Sequence, residues 1–226
     1  MKARLGILGG TFDPIHFGHL DAADAASAAM ALEEIVLIPA YDQPLRVLDP
    51  RASAFQRFAL TVLAVADRPE YHVSDMELVR QGRSFTEDTL RGFHESGWRA
   101  SQLFFILGSD AFAGIAAWHG YPAFLDLAHF VVIARPGTTI DETTRRMPEL
   151  RPRMSPVPRE HVASDGPARI FLVHAHTRDV SSTMIRERLA GGKPIDELVP
   201  PAVVRHIYKH HLYGAVNSLH DEDERL

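Results

Sequence analysis

The sequence predicts an α/β protein built on one doubly wound parallel sheet, and three observations carry that prediction. Five short apolar runs, Leu5–Leu8, Ile35–Ile38, Leu103–Leu107, Phe130–Ile133 and Ile170–Val173, are mostly unbroken rather than alternating. Strands buried on both faces read this way. Segments of helical period separate the runs from end to end, the order that wraps helices on both sides of a parallel sheet. The 226 residues, 46% hydrophobic and 23% charged, suffice for one domain with a sizeable core and a small C-terminal helical part.

Taken in order, the first run ends in Gly9-Gly10, and the alanine-rich stretch His19–Leu32 follows as a helix. After the second run, Ser53 with Gln56 three residues on reads as a capping box. It opens a helix whose stripe is Phe55, Phe58, Ala59, Val62 and Leu63. Phe85–Phe93, Thr183–Leu189 and Ala202–Leu212 supply further helices. Gly137–Pro167, heavy in Pro, Arg and Ser/Thr, reads as a surface excursion with at most a short helix. No repeat or linker divides the chain, so residues 1–214 are expected as one domain. Residues 215–226, with Asp221-Glu222-Asp223-Glu224, are expected as a flexible acidic tail.

Composition excludes several classes. With no cysteine, disulfides, zinc-thiolate sites and thiol catalysis are ruled out. A net charge of -5 gives no basis for broad nucleic-acid binding. The apolar run after Met1-Lys2-Ala3-Arg4 is too short for a signal peptide, and no stretch approaches a membrane span. The expectation is a cytoplasmic enzyme without membrane or nucleic-acid partners. A homo-oligomer is left open.

Two constellations carry chemistry. In Gly9-Gly10-Thr11-Phe12-Asp13-Pro14-Ile15-His16-Phe17-Gly18-His19-Leu20, the glycines let the backbone turn sharply at a strand end. The helix starting near Gly18 aims free N–H groups and its positive dipole end at that loop, which favours phosphate. His16 and His19, three apart, can face one spot and stabilise charge during displacement at phosphorus. A plain strand–turn–helix with two surface histidines fits the spacing too, as does metal binding. Neither a P-loop nor a G-x-G-x-x-G motif is present. Near the C-terminus, Val180-Ser181-Ser182-Thr183-Met184-Ile185-Arg186 opens a helix with hydroxyls suited to capping or to a ligand. Arg186, one turn in, can fork onto phosphate oxygens.

Gly9–Leu20 resembles the signature of the His-x-Gly-His nucleotidyltransferase superfamily, His16-Phe17-Gly18-His19 matching that motif in full, and with Gly-Gly-Thr-Phe-Asp-Pro in front of the motif it looks most like the nicotinate-nucleotide adenylyltransferases. Val180–Arg186 resembles that superfamily's I-S-S-T-x-x-R, with Val180 in the isoleucine place. The resemblance runs in matching order over most of residues 4–213. It implies a Rossmann-like fold with both phosphate-directed helix starts at the carboxyl ends of the strands. Three middle segments match the pyridine-nucleotide branch. Ser84-Phe85-Thr86 through Leu90 resembles S-Y-T-x-x-T-L, with Phe85 replacing tyrosine. Gly108-Ser109-Asp110 resembles G-x-D, and Trp118 matches the tryptophan that lies against the nicotinate ring. Ala134-Arg135-Pro136-Gly137 resembles R-P-G. Gln43-Pro44-Leu45-Arg46 departs from P-P-H-[KR] at Gln43 and Leu45 but keeps the cation.

What the resemblance implies is adenylyl transfer from ATP to nicotinate mononucleotide, in NAD biosynthesis, giving deamido-NAD and pyrophosphate. A phosphate nucleophile is ionised at neutral pH, so positioning and charge stabilisation suffice. The implied catalytic set is His16, His19 and Arg186. ATP falls to Gly9, Gly10, Thr11, Phe12, Gly108, Asp110, Ser181, Ser182 and Thr183, and the mononucleotide to Arg46, Ser84, Thr86, Trp118 and Arg135. Mg2+ is implied on the ATP phosphates, with few protein ligands. Asp13 either holds metal-bound water or caps its loop. Competing readings are a preference for nicotinamide mononucleotide, a pantetheine-phosphate or cytidylyl transferase, a non-catalytic nucleotide-binding module, and a metal-binding protein using some of the 13 histidines, among them His174, His176, His206, His210 and His211.

Overall fold

The computed structural model describes residues 4–44, 50–134, 145, 147–155 and 166–216. Its centre is a seven-stranded sheet: β1 Leu5–Gly10, β2 Glu34–Pro39, β3 Tyr71–Val73, β4 Leu103–Gly108, β5 His129–Ala134, β6 Met154–Ser155 and β7 Ile170–His174. The spatial order is β3-β2-β1-β4-β5-β7-β6, and every pairing is parallel. The five predicted runs are the five central strands.

Because side chains alternate along a strand, each unbroken run feeds two cores. Leu8, Leu37 and Val131 point to one face, and Ile7, Val36 and Val132 to the other. The first face is covered by α1 Phe17–Met30, α2 Ala54–Ala64, α6 Ser182–Ala190 and α7 Pro201–Lys209, which bury Leu20, Leu60, Ile185 and Val203 there. The second takes α4 Thr86–Glu95 and α5 Ser109–Ala113, through Leu90 and Phe112. A short helix α3, Met76–Arg80, precedes α4. Strand order turns back between β1 and β4, so a crevice opens at their carboxyl ends, where such sheets take ligands.

Several expectations need correction. On α2, Phe55 is 70% exposed and Val62 is exposed, while Arg57, Leu60, Thr61 and Ala64 face inward. Burial of Arg57 turns the helix away from its apparent stripe. Ser53 does cap α2, accepting from Gln56 N at 3.3 Å, but the Gln56 side chain pairs with His206 Nε2 at 2.9 Å instead of closing a capping box. The stretch expected as a surface excursion contributes to the core: Met147 and Leu150 are buried and Met154–Ser155 is an edge strand. Residues 137–144, 146 and 156–165 of that stretch, and 217–226 of the expected tail, lie outside the described residues. Ala215, at the head of the expected tail, is buried. The last helix stops at Lys209, because His211 and Tyr213 take positive φ (50° and 60°) in a hook ending at Gly214.

Candidate active site

The loop between β1 and α1 is fixed from below. Phe12 sits buried with φ at 50°, and a Cβ on Gly10 would stand 2.9 Å from its ring, so Gly10 is needed for contact rather than flexibility. Asp13 is fully buried; its carboxylate accepts from Arg51 N at 2.9 Å and Ala52 N at 3.1 Å. It thus caps the turn before α2. Arg57 reaches up from α2 and donates to Thr11 O at 2.6 Å, Tyr41 O at 3.2 Å and Ala52 O at 3.3 Å. A buried guanidinium is tolerable because three carbonyls meet it.

His16 is the N-cap of α1, and its backbone N–H donates to His19 Nδ1 at 3.2 Å. The rings stack with centroids 3.7 Å apart, and Phe12 meets His19 edge-on at 5.0 Å. The two imidazoles therefore do converge, and they are not both surface groups, since His16 is buried. With Nδ1 accepting, the neutral His19 ring carries its proton on Nε2.

The C-terminal motif is joined to this loop directly. Ser181 caps α6, accepting from Met184 N at 3.2 Å. Ser182 Oγ donates to Pro14 O at 2.8 Å. Arg186 donates to Asp13 O at 2.7 Å and to Thr183 Oγ1 at 3.0 Å, with the Asp13 carboxylate 3.7 Å away. Behind Asp13 lies Tyr213; burial first, then that carboxylate, push its phenol above the ordinary value. Arg178 straps the start of the motif to α1, with two bonds to Asp21 at 3.0 and 2.7 Å and its guanidinium 3.8 Å from the Phe17 ring centre.

Three cavities open here. One of about 420 Å3 is bordered by Thr11, Phe12, His19, Ser182, Thr183 and Arg186. Another of about 250 Å3 lies between His16, His19, Gly108 and Arg178. The third, about 590 Å3, is bordered by Ser84, Phe85, Thr86, Asp110, Trp118 and His119. His19 borders the first two, and Gln43, whose side chain bonds the Thr11 hydroxyl, borders the first and third. The three are compartments of one crevice.

The third compartment is aromatic. Trp118 stacks on Phe124 with centroids 6.1 Å apart, and Phe85 stacks on His119 at 4.4 Å. Ser84 Oγ accepts from Tyr41 N at 2.9 Å, joining this wall to the loop after β2. Behind it the buried Glu77 bonds Thr89, and burial raises its carboxyl above the usual range. Thr86 is the first residue of α4, whose N-cap is Phe85.

Most sequence-predicted residues thus border the crevice. Gly9 and Gly10 shape the turn, and Ser181 is occupied in capping. Arg46 and Arg135 lie outside the described residues. The rings of His206 and His210 lie tilted with centroids 4.2 Å apart at the end of α7, and no group of three or more metal-ligating side chains occurs among the described residues. Also among these, no helix is long and apolar enough to cross a membrane. Arg57, Glu87, His119 and Arg178 were not foreseen. Arg57, a charge within an otherwise apolar helical pattern, is the one that left a trace in the sequence.

Comparison with known proteins accords with this geometry. The cytidylyltransferase-like family model matches residues 7–188. Proteins of Roseiflexus sp. (strain RS-1) and Herpetosiphon aurantiacus, both named probable nicotinate-nucleotide adenylyltransferase, are 40% and 39% identical over 212 residues. Those matches cover 94% of this chain and 98% and 99% of theirs. The structure of Plasmodium falciparum nicotinic acid mononucleotide adenylyltransferase complexed with NaAD superposes with a TM-score of 0.70 over 95% of this chain and 99% of that one. At 18% identity, it shows a shared fold.

Proposed function

The chain belongs to the nicotinate-nucleotide adenylyltransferases of the cytidylyltransferase-like family, and from that premise we propose how its residues join ATP to nicotinate mononucleotide. The reaction forms deamido-NAD and pyrophosphate in NAD biosynthesis. The observation that carries the assignment of roles is the meeting of two helix starts, α1 with its histidine pair and α6 with Ser182, Thr183 and Arg186, bonded together through Asp13 and Pro14 at the mouth of the sheet.

ATP takes the two compartments that His19 borders. His19, bordering both, stands where the α-phosphate passes from the nucleoside side to the β- and γ-phosphates. The mononucleotide takes the aromatic compartment, its ring against Trp118 and its phosphate leaving by the Gln43 wall. A mononucleotide phosphate oxygen attacks the α-phosphorus in line, and the bond from that phosphorus to the pyrophosphate oxygen breaks. No proton must be removed from the nucleophile. His16 and His19 stabilise charge at the α-phosphate, while Arg186 and the N–H groups opening α6 hold the departing pyrophosphate. The Asp13 carboxylate is engaged by the main chain before α2. Mg2+ would be carried by ATP and would neutralise charge on its phosphates, a role that needs few protein ligands.

The test is pyrophosphate release from Mg-ATP with nicotinate mononucleotide, nicotinamide mononucleotide or phosphopantetheine as acceptor. Activity with nicotinate mononucleotide that is lost in His19→Ala supports the reading. Activity with phosphopantetheine alone refutes the assignment of the aromatic compartment.

A further inference from the structure

The chain between β7 and α6 has no regular secondary structure over 175–181, so neither a strand ladder nor a helix fixes its place. Arg178 gives it one. Its backbone N–H and its Nε donate to Asp21 Oδ2 at 2.9 and 3.0 Å, and Nη2 donates to Oδ1 at 2.7 Å. Phe17, the first residue of α1 and one turn before Asp21, holds its ring centre 3.8 Å from the guanidinium carbon. That spacing makes a socket in which the carboxylate takes the edge of a planar cation and the ring takes its face. The main chain is close as well: a Cβ on Gly18 would stand 3.2 Å from Arg178 O. Residue 178 is thus seated on the opening turns of α1 by edge, face and backbone.

Both sides of this clamp border one compartment. Gly18, His19 and Ala22 border the cavity of about 250 Å3 from α1, and 177–180 border it from the irregular segment. We propose that the Asp21–Arg178 clamp sets the width of this compartment and so positions the adenosine half of ATP. The inference rests on the function proposed above, which gives this compartment the nucleoside side of ATP, and adds the residues that hold its walls. The Arg178 side chain is 51% exposed, and an ion pair so open adds little to global stability. Two bonds to one carboxylate and a third from the main chain make it a local brace instead. Walls fixed beforehand spare the ligand the cost of ordering them and keep the α-phosphorus in line for attack. The described residues bordering the Arg186 and aromatic compartments include neither Asp21 nor Arg178. The clamp therefore acts on the two reactants that carry adenosine, ATP and deamido-NAD, and spares pyrophosphate and nicotinate mononucleotide. Asp21 and Arg178 are positioning residues.

The experiment measures initial rates in both directions with the full chain, Asp21→Ala, Arg178→Ala, the double variant and Arg178→Lys. Each alanine variant raises the KM for ATP, and for deamido-NAD in the reverse reaction, by about tenfold, the worth of one hydrogen bond to a charged group. The double variant does no more than either single one, because both remove the same brace. Arg178→Lys keeps the charge without the fork and falls between. The KM values for pyrophosphate and nicotinate mononucleotide, and the melting temperature, stay close to those of the unsubstituted chain. A general loosening of the fold would move all four KM values together, and that result overturns the proposal, as do unchanged KM values or additive effects in the double variant. Should an alanine variant fail to fold, Arg178→Lys decides by the same comparison of the four reactants. These failures leave the adenylyltransferase reading standing. An unsubstituted chain inactive with ATP and nicotinate mononucleotide overturns the two together.

Discussion

His129 makes the fold sensitive to acid at a point remote from the crevice. It opens β5, is 1% exposed, and lies between Phe104 and Phe171 with ring centroids 4.9 and 5.6 Å away. Its Nδ1 accepts from Arg169 N at 3.0 Å, so the ring is held neutral with its proton on a buried Nε2. Burial first, then Arg4 and Arg169, lower its pKa to about 4 from 6.5. The unfolded chain therefore binds the proton more readily, and stability falls as pH drops from about 6.5 towards 4. A gap of about 2.5 units amounts to about 3 kcal/mol in full, of which about 2 kcal/mol is lost by about pH 5. Urea unfolding of the wild type and of His129→Gln at pH 8 and pH 5 measures this. Glutamine costs some stability at both values by disturbing the Arg169 contact, but it carries no titrating group. The wild type should lose about 2 kcal/mol more than the variant on acidification. Equal losses would show that the buried ring is not the acid-sensitive group, refuting the reasoning.

Three other substitutions probe the site and its supports. Arg186→Ala removes the fork over the pyrophosphate compartment and its bond to Asp13 O; kcat should fall by about 100-fold or more, with the mononucleotide KM little changed, in initial-rate assays. Arg57→Met strands carbonyls of Thr11, Tyr41 and Ala52 in the interior and should lower the unfolding free energy by about 3 kcal/mol, read by chemical denaturation. Gly120→Ala combines a φ of +78° with a clash on Glu87; a loss of about 1 kcal/mol in stability and a higher mononucleotide KM, with the ATP KM unmoved, are expected.

The sheet was legible because its central strands are apolar on both faces, and a run such as Phe130–Ile133 needs no partner to be recognised. The two motifs proposed to hold phosphate stood out because each is contiguous. What escaped is short or long-range. β3 has three residues with only Tyr71 buried, too few to show a period. α2 misled because its inward face includes Arg57 and Thr61 while Phe55 points to solvent. Apolar periodicity cannot anticipate an arginine whose partners are main-chain carbonyls up to 46 residues away. The same holds for Arg178, whose partner Asp21 is 157 positions earlier, and for the contact of Glu87 with His119, which needs the missing side chain of Gly120.

The bonds from Ser182 to Pro14 and from Arg186 to Asp13 span 168 and 173 positions. During synthesis the first half of the proposed phosphate site leaves the ribosome long before the second. The histidine pair must wait, without its arginine, until α6 has emerged and docked. Loop closure over such a distance adds only slowly to the entropic cost, so the join is feasible, but it comes late in a topology dominated by non-local pairing. A chain halted before Arg186 would have the central strands and half a binding site. Catalytic competence in this protein thus doubles as a report that translation has passed α6.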